Sequence, residues 1–234
     1  MEEFYYLSQR KDLLPEVKEI FDKYFRQFGK NYLTVFDNLS DTKKDKLLKI
    51  SFFYYWRGWK FLQSDDCAKT FDRSAVLISL ISVIETIMSV KHKDFYEWYK
   101  SESNKKSSNV EILWNDYLEI YGSSKKMREF FEKYLDKDDK NYLINNIYCC
   151  LKNGQKNYFK EIRKIADWFY AMRSEFVHNS EYVPIPDGDY LMIGISVCGK
   201  YYFFEEYSFK KIISILEKSV AKYFFNESLP NIRC

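Results

Sequence analysis

The sequence predicts a mostly α-helical protein with one small β-hairpin near its C-terminus. Three observations carry this. Glycine (7) and proline (4) are scarce in 234 residues, whereas all-β folds place these residues in their turns. Apolar residues recur at three- and four-residue spacing through most of the chain, which is the helical period. One stretch alone, between residues 190 and 206, reads as paired strands. The apolar fraction of 46% and aromatic fraction of 20% exclude ordinary disorder, which lacks the bulk to form a core. Charged residues at 30% with a mean hydropathy of −0.48 point to a soluble protein.

Leu13 to Phe28 places Leu14, Val17, Ile20, Phe21, Tyr24 and Phe25 at helical spacing, and Pro15 suits a first turn, where its missing N–H is no loss. Asp41 to Gln63 reads as a second long helix. Ser64 to Thr70 is a polar break, so the expected organisation is an N-terminal helical region, 1–65, and a helical domain, 66–234. Phe71 to Val90 is the most apolar segment. It is too short and too interrupted to cross a bilayer, because Ser79, Ser82, Glu85, Thr86 and Ser89 lie inside it. At 100° per residue these five occupy about a third of the wheel, which predicts a central helix with one narrow polar stripe. Further helices are expected at His92–Lys100, Val110–Tyr121, Lys125–Leu135, Asn141–Leu151 and Lys160–Val177. Tyr190–Val197 and Tyr201–Glu206 then flank Cys198–Gly199 as a hairpin (190–206), and Phe209–Phe225 closes the chain as a helix (209–225).

The net charge of +3, from 37 basic and 34 acidic residues, excludes a strongly basic, histone-like binder but not a local basic groove. The odd cysteine count of five, the adjacent pair Cys149–Cys150 and the lack of any CxxC argue against a disulfide framework or a zinc site and predict buried reduced thiols. No phosphate loop, GxSxG, HExxH or Asp-rich metal motif occurs, so neither cofactor nor metal is expected. The N-terminus has no basic-then-apolar leader, so the expected location is cytoplasmic, with no membrane partner. The stretch Ser51–Phe61 mixes aromatics with Arg57 and Lys60, as base-stacking surfaces do, but its aromatics also have the spacing of a helical core. The lysine pairs 43–44, 105–106, 125–126 and 210–211 read as solvated faces.

The chain has two histidines. His92 sits between lysines at a helix start. His178 ends the helix that carries Arg173, in the string AMRSEFVHNSEY. Five residues along a helix is about 140° of rotation, but a long arginine in the last turn can swing toward His178. Arg offers a planar fork to a phosphate, and His exchanges protons near neutral pH. The competing reading is that both side chains only complement the helix dipole, worth about 0.3–1 kcal/mol. Glu85 has two readings as well: a solvated residue of the polar stripe, or a buried carboxylate that needs a cation, for which Arg173 is the candidate.

The Arg-x4-His string RSEFVH at a helix end resembles the Arg-x4–6-His motif of the HEPN superfamily. The apolar helix AVLISLISVIETIM with Glu85, roughly ninety positions upstream, resembles that of the Apea-like members. The resemblance covers about Phe71 to Ser180. It implies a HEPN-like helical bundle that homodimerises and cleaves RNA without a metal, the 2′-OH attacking the adjacent phosphate. Carried onto this chain, Arg173 would stabilise the transition-state charge, His178 would act as general acid or base or orient the phosphate, and Glu85 would hold Arg173. Ser174 and Asn179, next to the two motif residues, join the implied catalytic set. Ser174 departs from the Asn, Asp or His frequent after the motif Arg, though its hydroxyl can still bond a phosphate or ribose. The implied setting is toxin-like or antiphage defence, with an antitoxin or regulatory protein as a further partner. The rival expectation is a catalytically silent helical module that binds RNA or a protein.

Overall fold

The computed structural model describes residues 15–50, 66–89, 95–102, 109–150, 154–178, 189–190, 193–197 and 200–227. The protein is mostly α with a small antiparallel sheet toward the C-terminus. Helix α1 (Pro15–Phe25) runs into a 3-10 turn, Arg26–Phe28, and is followed by a short helix α2 (Tyr32–Asp37). The latter has no strong period and starts because the Asn31 side chain accepts the Thr34 N–H at 2.8 Å, an N-cap. Residues 41–50 are helical. The expected remainder of that helix and the Ser51–Phe61 aromatics lie outside the described residues, as does His92.

The long apolar run forms α3 (Asp66–Met88). Leu80, Ile81, Val83, Ile84 and Ile87 are all buried, so this helix is apolar on most of its circumference, and Thr86 returns its hydroxyl to the Ser82 carbonyl at 2.9 Å. Helices α4 (Phe95–Glu102) and α5 (Val110–Tyr121) build a separate small cluster of Trp98, Leu113 and Tyr117. Helix α6 (Ser123–Tyr134) follows after one residue, Gly122. Any Cβ at Gly122 would stand 2.3 Å from the Leu118 carbonyl oxygen, so the α5–α6 joint requires glycine for close approach rather than for a left-handed φ. Helix α7 (Lys137–Asn146) leads into strand β1 (Ile147–Cys150), and strand β2 (Lys156–Tyr158) precedes α8 (Ile162–His178). Strands β3 (Asp189–Tyr190), β4 (Ile193–Val197), β5 (Lys200–Phe204) and β6 (Tyr207–Ser208) lead to α9 (Phe209–Glu227).

Residues 147–150 correct the helix expected over Asn141–Leu151. Asn146 ends α7 by clasping the chain at Glu206, whose N–H donates to Asn146 Oδ1 at 2.6 Å. The following residues then pair with β5 in the register Ile147↔Phe204, Tyr148↔Phe203, Cys149↔Tyr202. The four-stranded order is β2-β1-β5-β4, all antiparallel, so the expected hairpin (β4–β5) is present and extended by two strands. Cys149 is half-buried and Cys150 exposed; strand alternation separates adjacent residues onto opposite faces, which corrects the expectation that both thiols are buried.

Helices α3, α6 and α8 pack on one another. Phe131 of α6 meets Phe169 of α8 at 5.5 Å between ring centroids, and Arg128 Nε lies 2.6 Å from Asp167 Oδ1 at the rim. The sheet braces α8 from another side: Trp168 contacts Tyr202 at 5.7 Å and Phe204 at 5.8 Å. Helix α9 covers α1, α3 and α6. Phe21 meets Phe224 edge-on, and Tyr24 donates to Glu217 Oε2 at 3.0 Å. A single continuous apolar core thus includes Phe21, Ile84, Phe131, Phe169 and Leu216. Lys43 of the first lysine pair packs its ammonium over the Tyr223 ring at 4.4 Å, so it is not part of a solvated face. No helix among the described residues is long and apolar enough to cross a membrane.

Candidate functional site

Glu85 lies near the end of α3, Arg173 and His178 in the last turns of α8, and the first turn of α6 reaches the same point. The helix packing produces this meeting. The buried face of α8 runs through Ile165, Phe169 and Met172, and Arg173 follows Met172 by about 100° of rotation. That turns it from the core toward the polar stripe of α3. Arg173 Nε lies 3.0 Å from Glu85 Oε2, with side-chain exposures of 22% and 15%. The Nε–H is not aligned on that oxygen, so the contact is an ion pair rather than a directed hydrogen bond. The other end of the guanidinium swings along the helix, and Arg173 Nη1 stands 3.5 Å from His178 Nε2. His178 is exposed, as is its neighbour Val177.

The Glu85 carboxylate faces more than Arg173. The Ser123 hydroxyl of α6 hydrogen-bonds it, and the charges of Lys126 and His178 act on it. Burial nevertheless outweighs these partners and pushes the Glu85 carboxyl up from its ordinary value. Burial also pushes the Lys126 ammonium down, against the opposing pull of Glu85 and Glu129. Both shifts mean that the fold holds these charges at a cost, a pattern concentrated at functional sites.

Glu85, Arg173 and His178 are therefore brought together. Ser174 is half-buried on α8, about 100° from Arg173 on the wheel, with no hydrogen bond from its side chain joining it to this group. Asn179 lies outside the described residues. Ser123 and Lys126 lie outside the sequence expectation, which reads the Lys125–Lys126 pair as a solvated face; both lysines are half-buried, and Lys125 faces Glu119 at 3.8 Å and Glu129 at 3.9 Å. The available signal is positional. Lys126 sits about 40° from the buried Phe130 on the wheel, Lys125 about 140°.

Substitution of Glu85 tests this arrangement. Glu85→Gln keeps the shape and the Ser123 contact while removing a charge that burial disfavours, so its stability at neutral pH should lie within about 1 kcal/mol of wild type. Glu85→Ala leaves the Arg173 guanidinium without the carboxylate it pairs with and should cost about 1–3 kcal/mol. Because the folded-state value is raised, the stabilising contribution of Glu85 is fully present below the ordinary 4.5 and is lost as pH rises through the folded value. Wild type should therefore lose stability relative to Glu85→Gln as pH rises above 4.5 in urea unfolding. A difference that does not vary with pH would contradict the burial of this carboxylate.

Compared with protein-family models, with curated proteins and with solved structures, the chain matches none.

Proposed function

We propose that this chain is a metal-independent endoribonuclease of HEPN type, a cytoplasmic homodimer acting in toxin-like or antiphage defence. The observation that carries the reading is the meeting of Glu85, Arg173 and His178, with Arg173 held at 3.0 Å by Glu85 and 3.5 Å from the imidazole. The helix-end string RSEFVH and the apolar helix with Glu85 support it as well.

The chemistry follows from these groups. A phosphate oxygen seated between Arg173 Nη1 and His178 Nε2 is within hydrogen-bond reach of both. The ribose 2′-OH attacks phosphorus, its O–P bond forms and the bond to the 5′ oxygen breaks. The products are a 2′,3′-cyclic phosphate and a 5′-OH end. The guanidinium stabilises the charge that accumulates on the equatorial oxygens, and Glu85 orients it. His178 transfers a proton at the attacking or leaving oxygen. Guanidinium and imidazole supply both charge and proton, so the reaction calls on no metal.

The test is incubation of the purified protein with total RNA in EDTA, wild type beside His178→Ala. Cleavage that persists in EDTA and yields cyclic-phosphate ends is expected of wild type alone. Activity that vanishes on chelation and returns with Mg²⁺ overturns the mechanism. A protein that binds RNA without cutting it is the silent helical module instead.

The homodimer places two copies of the motif around one cleft, related by a two-fold axis at which the end of α8 meets its own copy. Val177, 48% exposed beside His178, supports an apolar contact there. Sedimentation at micromolar concentration should show a dimer, and mixing Arg173→Ala with His178→Ala should recover activity that neither has alone. A strictly monomeric protein that cleaves RNA contradicts the shared cleft. In this role an antitoxin or regulatory protein acts by covering the Arg173–His178 edge.

A further inference from the structure

Seven of the ten large apolar side chains that stand exposed among the described residues belong to α4 and α5, the other three being Leu33, Val177 and Tyr201. Scattered exposed apolar residues are ordinary, but a contiguous group marks an interaction surface. On α5, Val110, Trp114 and Leu118 follow one another at four-residue spacing and fall within about 80° on the wheel. They form one stripe along the helix, 61%, 44% and 39% exposed. Trp114 meets Phe95 of α4 edge-on at 5.0 Å between ring centroids, and Phe95 meets Tyr99 at 6.1 Å, so the apolar surface continues onto the second helix. The charge beside it is mostly negative. Helix α5 carries Glu111, Asp116 and Glu119 and no basic residue, and Glu111 borders the stripe about 20° beyond Leu118. The described cations nearby are Lys125, which faces Glu119 at 3.8 Å, and Lys100 of α4. With both counted against Glu97 and the three carboxylates of α5, this surface stays negative. Lys105 and Lys106 lie outside the described residues. The Lys100 ammonium sits 4.2 Å from the centre of the Tyr96 ring, so an aromatic of this surface already receives a cation on its face.

We propose that the Val110–Trp114–Leu118 stripe is the docking surface for a partner protein that presents a basic amphipathic helix. Its apolar residues cover the stripe, and its lysines or arginines meet Glu111 and the exposed aromatic faces. Charge selects this occupant. An anionic membrane surface is repelled by the carboxylates of α5. The same face of a second copy would set Glu111, Asp116 and Glu119 against their own counterparts, with no basic residue on α5 to answer them, and like charges in contact oppose association. A basic helix meets apolar surface along the stripe and opposite charge beside it. The surface lies apart from Glu85, Arg173 and His178, so the proposal does not rest on the ribonuclease reading.

The experiment uses the full chain and a fluorescein-labelled synthetic peptide of about 15 residues, with leucine on one helical face and lysine on the other. A second peptide carries glutamate in place of each lysine. In anisotropy titrations the lysine peptide is expected to bind wild type at least about 10-fold more tightly than the glutamate peptide, and less tightly as salt is raised. Val110→Ser combined with Leu118→Ser should weaken its binding about 10-fold. Leu33→Ser, at an apolar residue of α2 that is just as exposed, should leave it unchanged. Glu111→Lys combined with Glu119→Lys should narrow or invert the preference between the peptides, and this variant keeps the test valid if thermal melts show the serine variant to be misfolded. Equal affinity for the two peptides overturns the proposal, as does wild-type binding by the folded serine variant. Two outcomes without peptide binding overturn it as well. Binding to phosphatidylglycerol–phosphatidylcholine vesicles assigns the face to a membrane, and a dimer that Leu118→Ser dissolves assigns it to a second copy.

Discussion

On the proposed ribonuclease reading, Arg173→Ala and His178→Ala are each expected to lower RNA cleavage by about 10²–10⁴-fold, the usual loss when a positioned acid, base or charge-stabilising group is removed. The fold should survive both. His178 is exposed at the last position of α8, where substitutions stay within about 0.5 kcal/mol. Arg173 is 22% exposed, and the carboxylate it leaves behind still faces Lys126 and Ser123. Near-wild-type circular dichroism melts with lost cleavage would separate chemistry from folding. Arg173→Lys sharpens the test, because it keeps the charge and loses the planar fork that can bond Glu85, His178 and a phosphate together. Its activity should stay close to that of Arg173→Ala. Cleavage by Arg173→Lys at wild-type rate would show that only charge matters at this position.

Phe169→Ala is expected to produce the opposite pattern, a large loss of stability with little change in activity per folded molecule. Phe169 is fully buried, lies edge-on to Trp168 at 5.0 Å and meets Phe131 of α6 at 5.5 Å. Its removal opens a cavity between α6, α8 and the side of α8 that carries Trp168. Phe→Ala at such sites costs about 3–5 kcal/mol, and at this chain length each kcal/mol lowers Tm by about 2–4 °C. The melting temperature should therefore fall by roughly 6–20 °C. Arg173 is four residues on, about 40° around the helix, so its pairing with Glu85 should persist in the molecules that remain folded. A melting shift of only a degree or two would mean that α6 and α8 do not enclose this ring.

How far the sequence foretells these features depends on where each interaction partner lies. Val110–Tyr121 is legible to the residue because its Asn109 cap and its period are both local. The long periods of α3, α8 and α9 are legible to within a few positions for the same reason. Strand β1 is not, because besides the nearby β2 it pairs with β5 at 202–204, and a short Ile-Tyr-Cys-Cys run after a helix carries no period of its own. The Arg173–His178 contact follows from helix arithmetic plus the reach of an arginine. Whether Glu85 faces solvent or Arg173 stays undecided in the sequence, since a narrow polar stripe on an apolar helix fits both. Lys126 is illegible for a further reason: the influence of its charge on Glu85 depends on the packing of α6 on α3.

The joining of α3, α6 and α8 also has a consequence for biosynthesis. Glu85 and His178 are separated by roughly ninety positions, and the contacts among the three helices that bring them together are long-range ones, which form only after the intervening chain has been closed into a loop. While the polypeptide is still emerging from the ribosome, α3 and α6 can associate but have no Arg173 to receive. The buried sides of α3 and α6 are completed later still, when α9 arrives. A chain that stalls during translation before residue 173 therefore has no assembled Glu85–Arg173–His178 cluster.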